Sequence, residues 1–132
     1  MLTRNPSVGT KQRQVGVLFV ASSLFSEAAA NALIAETQCL ADQPRLSGHL
    51  RFSDRLARDP ASCAAALQEL DLDTLDGLII QLSTFCTAEL LHTVLAALGE
   101  RSVPIALWAL EEPGEIITNS LCGAQLWAST LS

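Results

Sequence analysis

Short apolar runs alternate along this chain with longer stretches in which apolar residues recur every three or four positions. The runs cover residues 15–20, 77–82 and 103–110, and each is as short and as apolar as a strand buried on both faces. A fourth segment, residues 46–52, alternates apolar and polar positions toward its end, which favours an edge strand. Because strands that alternate with helices form parallel sheets, the pattern predicts a parallel α/β fold.

Helical periodicity fills the segments between these strands. Apolar residues share one helical face from about residue 26 to 40, again from residue 60 to 70, and from about residue 87 to 98. A last helix is predicted to begin near Ser120. The order predicts a Rossmann-like or flavodoxin-like three-layer α/β/α domain with strand order 2-1-3-4.

The last strand has the sequence of an interior strand, although this order places it at the edge of the sheet. We therefore expect that a fifth strand is missing, and that residues 15–132 are a Rossmann-like domain truncated at its C-terminus. A partner that covers the edge is the alternative. In either case the chain alone is expected to be marginally stable or self-associating. Residues 1–14, which have no apolar period, are expected to form a disordered lead.

Charge and composition narrow the classes of partner. The 132 residues carry a formal net charge of −6, which argues against a sequence-independent nucleic-acid binder and against binding to an anionic membrane. No apolar run approaches the ~20 residues of a membrane span, and the polar N-terminus is unlike a signal peptide. A cytoplasmic location is therefore expected. Hydrophobic residues make up 49% of the chain, which predicts packing on both sheet faces or an apolar surface that belongs to a partner.

No complete catalytic centre is recognisable in the sequence. The turn after the first strand lacks GxGxxG, and the chain contains no P-loop motif. Neither His49 nor His92 has a partner at a spacing that supports nucleophilic or acid–base catalysis. The four cysteines form no CxxC pair and are expected to be buried free thiols. We therefore assign no catalytic and no metal-binding residue.

Candidate binding residues lie where the last two predicted strands end, because open α/β sheets bind ligands at the carboxyl ends of their strands. Thr84 and Phe85 follow the third strand, where they would contact a ligand or merely begin the next helix. Trp108 would stack on a sugar ring, although a core position is at least as well favoured. Glu112 lies in a polar loop, where a solvent-exposed carboxylate is favoured over a binding role. Asn119 precedes the last helix. The free backbone N–H groups at the start of that helix would bind a polar ligand or be capped by a side chain.

Three segments share a pattern with one enzyme family. The first, residues 75–85 (LDGLIIQLSTF), contains DG, an apolar strand and TF. The second, residues 103–113 (VPIALWALEEP), contains VP, an apolar strand and Trp. The third, residues 119–126 (NSLCGAQL), contains NSxxG. Together they resemble the N-terminal region of the L-fucose/L-arabinose isomerase superfamily, and the resemblance covers most of residues 15–131. These enzymes are large cytoplasmic sugar ketol isomerases, so the resemblance implies the Rossmann-like N-terminal domain of a homo-oligomer in carbohydrate metabolism.

The resemblance also implies a role. The family uses a divalent metal, usually manganese, held by carboxylates and a histidine of later domains, so this chain is expected to lack the catalytic metal ligands and to be inactive alone. Its implied partners are a monosaccharide and the remaining domains or neighbouring subunits, with assembly and lining of the sugar site as its contribution. The residues implied to line that site are Thr84, Phe85, Trp108, Glu112 and Asn119. The alternative is a standalone flavodoxin-like binding or interaction module for a small polar ligand.

Overall fold

Four strands form one parallel sheet in a computed structural model that describes residues 12–22, 24, 25, 27–109 and 120–132. The strands are β1 (Val15–Val20), β2 (Leu50–Phe52), β3 (Gly77–Leu82) and β4 (Ile105–Trp108), and their order is β2-β1-β3-β4. The α-helices are α1 (Glu27–Gln38), α2 (Pro60–Leu70), α3 (Glu89–Leu98) and α4 (Ser120–Leu131). The predicted parallel α/β fold and its strand order are confirmed. None of the described helices is long and apolar enough to cross a membrane.

The main core lies between one face of the sheet and the helices α2, α3 and α4. Leu18, Ile80 and Leu82 are fully buried on this face and belong to the same cluster as the buried residues of α2 and α3. Trp127 joins α4 to that cluster, and its indole Nε1 donates to the carbonyl oxygens of Cys86 and Thr87 at 3.1 Å each. Burying a side chain as large as Leu contributes about 1.5–3 kcal/mol, so this layer supplies most of the hydrophobic stabilisation.

The opposite face of the sheet carries α1 and is less completely covered. Gln81 is buried on this face, and its side-chain amide donates to the hydroxyl of Thr37 on α1. Toward β4 the same face opens, because Ile79 and Trp108 are only half-buried and Ala106 is exposed. Within the described residues, β4 pairs with β3 alone. In this part of the chain the apolar last strand therefore lies at an edge of the sheet, and the expected fifth strand stays a prediction.

A reciprocal capping box fixes the start of α2. The carboxylate of Asp59 accepts the backbone N–H of Ser62 at 2.7 Å, while the Ser62 hydroxyl accepts the backbone N–H of Asp59 at 3.1 Å. The same hydroxyl accepts the backbone N–H of Arg58 at 2.9 Å. The backbone hydrogen bond from Ser62 holds the pKa of Asp59 below its ordinary value. This box also fixes the backbone of Arg58, which precedes the helix.

Two sequence predictions need correction. The second strand was predicted over residues 46–52, but residues 46–49 form turns and β2 has only three residues. Gly48 has φ +78°, which breaks the extended backbone there. The prediction of buried thiols is right for Cys63 and Cys86, whose pKa values burial raises to about 11. It is wrong for Cys39 and Cys122, which are exposed.

Candidate functional site

The carboxyl ends of β1 and β3 form a crevice at the middle of the sheet, between the helices of its two faces. Such a point, where chain connections diverge to opposite faces, is where open α/β sheets bind ligands. The Thr84 hydroxyl oxygen accepts the backbone N–H of Ser22 at 2.7 Å and donates to the carbonyl of Phe85 at 3.0 Å. The backbone N–H of Ser83 donates to the carbonyl of Val20 at 2.9 Å. These bonds join the two turns into one floor.

Two small cavities open on this floor and share Ala21, Ser22 and Arg58. The larger, of about 110 Å³, extends toward the start of α3; its other lining residues are Leu24, Phe85, Cys86, Thr87, Glu89 and Leu90. The smaller, of about 50 Å³, extends toward α1; its other lining residues are Phe25, Glu27, Ala30 and Leu56. Ligand pockets usually measure roughly 300–1,000 Å³, so each cavity would hold only part of a small molecule.

The segment after β2 brings Arg58 to this crevice. Ala57 forms an isolated parallel pair with Val20: its N–H donates to the carbonyl of Phe19 at 2.9 Å, and its carbonyl accepts from Ala21 at 3.0 Å. The chain thus returns to the end of β1 before α2 begins. The Arg58 guanidinium then forms an ion pair with the carboxylate of Glu27, which lies in the first turn of α1. Among the described residues that line the two cavities, Arg58 is the only cation.

Glu69 holds the loop that makes this return possible. Its carboxylate accepts from the Ser53 hydroxyl at 2.9 Å, from the Asp54 backbone N–H at 3.1 Å and from the Arg55 guanidinium at 2.6 Å. The Ser53 hydrogen bond is the main cause that lowers the pKa of Glu69, and the hydrogen bond from Arg55 adds to it. The carboxylate therefore stays charged at neutral pH and keeps the loop in place.

The described residues of the crevice include no activated nucleophile and no histidine. Cys86 lines the larger cavity, but burial raises the pKa of its thiol to about 11, so it is a protonated, weak nucleophile at neutral pH. No histidine lines either cavity among the described residues. In that same part of the chain, no three His, Cys, Asp or Glu side chains group as metal ligands. The carboxylate-and-histidine set that manganese would need is therefore not found there.

The structure brings together two of the five predicted site residues. Thr84 is fully buried and serves the floor through its hydrogen bonds, whereas half-buried Phe85 forms a cavity wall. Trp108 lines a separate groove of about 260 Å³ on the α1 side of the sheet, with Leu33, Glu36, Thr37 and Leu40. Glu112 and Asn119 lie outside the described residues.

Sequence reasoning gave no binding role to four residues of the crevice. Ser22 was recognisable, because it follows a central strand at the edge where ligands bind. Phe25 and Glu27 could have been found as the residues between that strand and the first helix. Arg58 carried no such signal, because its place depends on the pairing of Ala57 with β1.

Two of the three family-like segments contact each other directly. Ser120, at the start of α4, donates its hydroxyl to the carbonyl of Leu82 at the end of β3. A Cβ placed on Gly123 would lie 3.2 Å from the Cα of Phe85 and 3.3 Å from the N of Cys86. Glycine thus lets α4 approach the backbone of the loop that carries Phe85.

Neither protein-family models nor curated proteins supply a relative of this chain. No family model matches the chain. No curated protein is significantly similar to it. Function must therefore be inferred from the motif segments and the geometry of the crevice.

Proposed function

We propose that this chain is the N-terminal α/β domain of an L-fucose/L-arabinose isomerase-like sugar ketol isomerase. In this role it helps to line the sugar site and to assemble a cytoplasmic homo-oligomer, and it does not catalyse isomerisation alone. The supporting observation is the contact between the Thr84–Phe85 loop and the NSxxG helix start. Segments that resemble the family separately in sequence pack together beside the crevice: Ser120 bonds to Leu82 at the end of β3, and Gly123 lies close to the backbone of Phe85.

The chemistry of the crevice supports a binding role in such an enzyme. Isomerisation of an aldose to a ketose moves a proton between neighbouring carbons, which requires a base of suitable pKa. The described lining offers Arg58, a serine hydroxyl and aromatic surface, which would bind and orient a substrate. Its two carboxylates are exposed to solvent, and that of Glu27 is paired with Arg58. The proton transfer, and the manganese that the family resemblance implies, would then belong to the remaining domains or to neighbouring subunits.

Two measurements on the 132-residue chain test this proposal. Incubation of L-fucose or L-arabinose with the chain and Mn²⁺ should give no ketose, and detectable turnover would overturn the assigned role. Ligand-observed NMR with the same sugars should show weak binding to the chain. Flavin mononucleotide is the comparison ligand, and absence of sugar binding would contradict the proposal.

A standalone flavodoxin-like binding module is the second candidate. The observation in its favour is that this one chain supplies the Thr84–Ser22 hydrogen bond, the cavity lining and the Arg58–Glu27 ion pair of the crevice. The same NMR comparison separates the candidates, because binding of the flavin without any sugar would support the module. A fluorescence titration locates the ligand, since half-buried Trp108 would respond to a ligand in its own groove rather than in the crevice.

A further inference from the structure

We infer that Arg58 and Glu27 are the polar end of a monosaccharide subsite whose apolar wall is formed by Phe25 and Phe85. The ligand class is a neutral polyol with two neighbouring hydroxyls. This inference rests on the proposed sugar-binding function and deepens it, because neither the motif segments nor the strand-end pattern assigns Arg58, Glu27 or Phe25.

The position of the pair is the first argument. Arg58 lines both cavities, and Glu27 lines the smaller one, so the ion pair stands at the boundary between them. The Arg58 backbone is fixed by Ser62 on one side and by the Ala57–Val20 pairing on the other. A fixed backbone beneath an exposed guanidinium limits the positions that its donors reach.

The chemistry of the pair is the second argument. A planar guanidinium presents parallel N–H donors, and a carboxylate presents two acceptor oxygens, so together they match both hydrogen-bonding functions of neighbouring hydroxyls. The side chains are 38% and 58% exposed, and an exposed ion pair of this kind contributes little to stability. A sugar can therefore insert between the two groups without a large loss.

Charge and apolar surface select the ligand class. Glu27 lines the smaller cavity and Glu89 the larger, against one cation among the described lining residues, so a phosphate or carboxylate ligand would meet a like charge in either cavity. The rings of Phe25 and Phe85 lie 6.2 Å apart between centroids and tilt by 52°. They give the C–H face of a sugar ring an apolar surface, and Leu24, 89% exposed, extends it at the rim.

A matched ion pair elsewhere in the chain provides the control. Arg101 binds the carboxylate of Asp73 at 2.7 Å, with side chains that are 41% and 73% exposed. This pair precedes β3 and β4 and therefore lies at the opposite end of the sheet. Arg101 also lines a crevice of about 390 Å³ at that end, so its substitution tests a rival sugar site as well.

The experiment is a titration of the ¹⁵N-labelled chain with L-fucose, L-arabinose and inorganic phosphate, followed by two-dimensional NMR. We expect the sugars to shift the Arg58 Nε–H signal and the backbone signal of Ser22. Arg58→Gln should weaken sugar binding about ten-fold, as expected for the loss of a charged hydrogen-bonding group. Arg101→Gln should leave affinity within about two-fold. Unchanged dispersion of the spectrum shows that each variant is folded.

The possible failures are distinguishable. If no sugar shifts any signal of the unmodified chain, the proposed function and this inference both fall. If sugars bind and Arg58→Gln binds them equally well, only the inference falls. If Arg101→Gln weakens sugar binding instead, the site lies at the other end of the sheet. Phosphate that binds more tightly than the sugars would overturn the assignment of a neutral polyol.

Discussion

Replacing Gly123 by alanine should destabilise this domain, although the same change stabilises an ordinary helix interior. Gly123 is the fourth residue of α4, where alanine is preferred over glycine by roughly 0.5–1 kcal/mol. The added Cβ, however, would lie 3.1 Å from Cδ2 of Leu82, 3.2 Å from Cα of Phe85 and 3.3 Å from N of Cys86. Leu82 can change rotamer, but the other two atoms are backbone and cannot turn away.

The expected magnitude follows from these opposing effects. Overpacking a well-filled site costs about 1–3 kcal/mol. Subtracting the gain in helix propensity leaves a net destabilisation of about 0.5–2 kcal/mol. Relief of the contact by movement of α4 would strain two further attachments of the helix, the Ser120–Leu82 hydrogen bond and the paired hydrogen bonds of Trp127. The close contact and its relief by movement of α4 therefore both lower stability.

Urea unfolding measures this change. Trp127 is fully buried, so its fluorescence should report the opening of the α4 contact, and linear extrapolation gives the free energy of unfolding. The control is Ala128→Gly at an exposed position of α4, which should cost roughly 0.5–1 kcal/mol from helix propensity alone. If Gly123→Ala instead raises stability by a similar amount, α4 does not contact the Phe85 loop closely and the reasoning is refuted.

Two further predictions concern the site loop and the sheet edge. Glu69→Gln should lower stability in full at about pH 7 and progressively less as pH falls below 4.5. The pKa of Glu69 is lowered by folding, so its contribution is complete above the ordinary value of 4.5 and is lost as pH falls through the folded value. Urea unfolding that shows the same loss at every pH would contradict this. Ala106→Lys, which places a charge on the exposed edge, should reduce concentration-dependent self-association in analytical ultracentrifugation. Gln125→Lys on α4 is its control. The prediction fails if Ala106→Lys associates as strongly as the unmodified chain, or if the unmodified chain does not associate.

The fold was predictable because its central strands are encoded by apolar runs. β1 and β3 are buried on both faces, so nearly every position is apolar and the pattern admits few alternatives. β2 was predicted too long because the turn signal of Ser47-Gly48 was not used. There Gly48 adopts a positive φ and the chain turns before the strand begins.

The candidate site was less predictable because it depends on long-range contacts. Phe85 was found from its place after β3, a local property of the sequence. Arg58 reaches the crevice through the pairing of Ala57 with β1 and the loop that Glu69 holds, contacts between segments far apart in sequence. Thr84 was placed at the right edge, but its hydroxyl is committed to the floor of the crevice.

The two edges of the sheet differ in a way that bears on the proposed assembly. β2 is short and carries Arg51, whose guanidinium donates to the carbonyl of Leu70 at 2.8 Å and to the hydroxyl of Thr74 at 2.6 Å. Brevity and charge are common means of protecting an edge from pairing. β4 has neither a charge nor a proline, and Ala106 is exposed on it. A domain selected to work alone would be expected to protect both edges. If the proposed assembly is right, β4 is therefore the edge along which further strands would pair, and the Arg58 crevice lies away from that edge, at the strand ends.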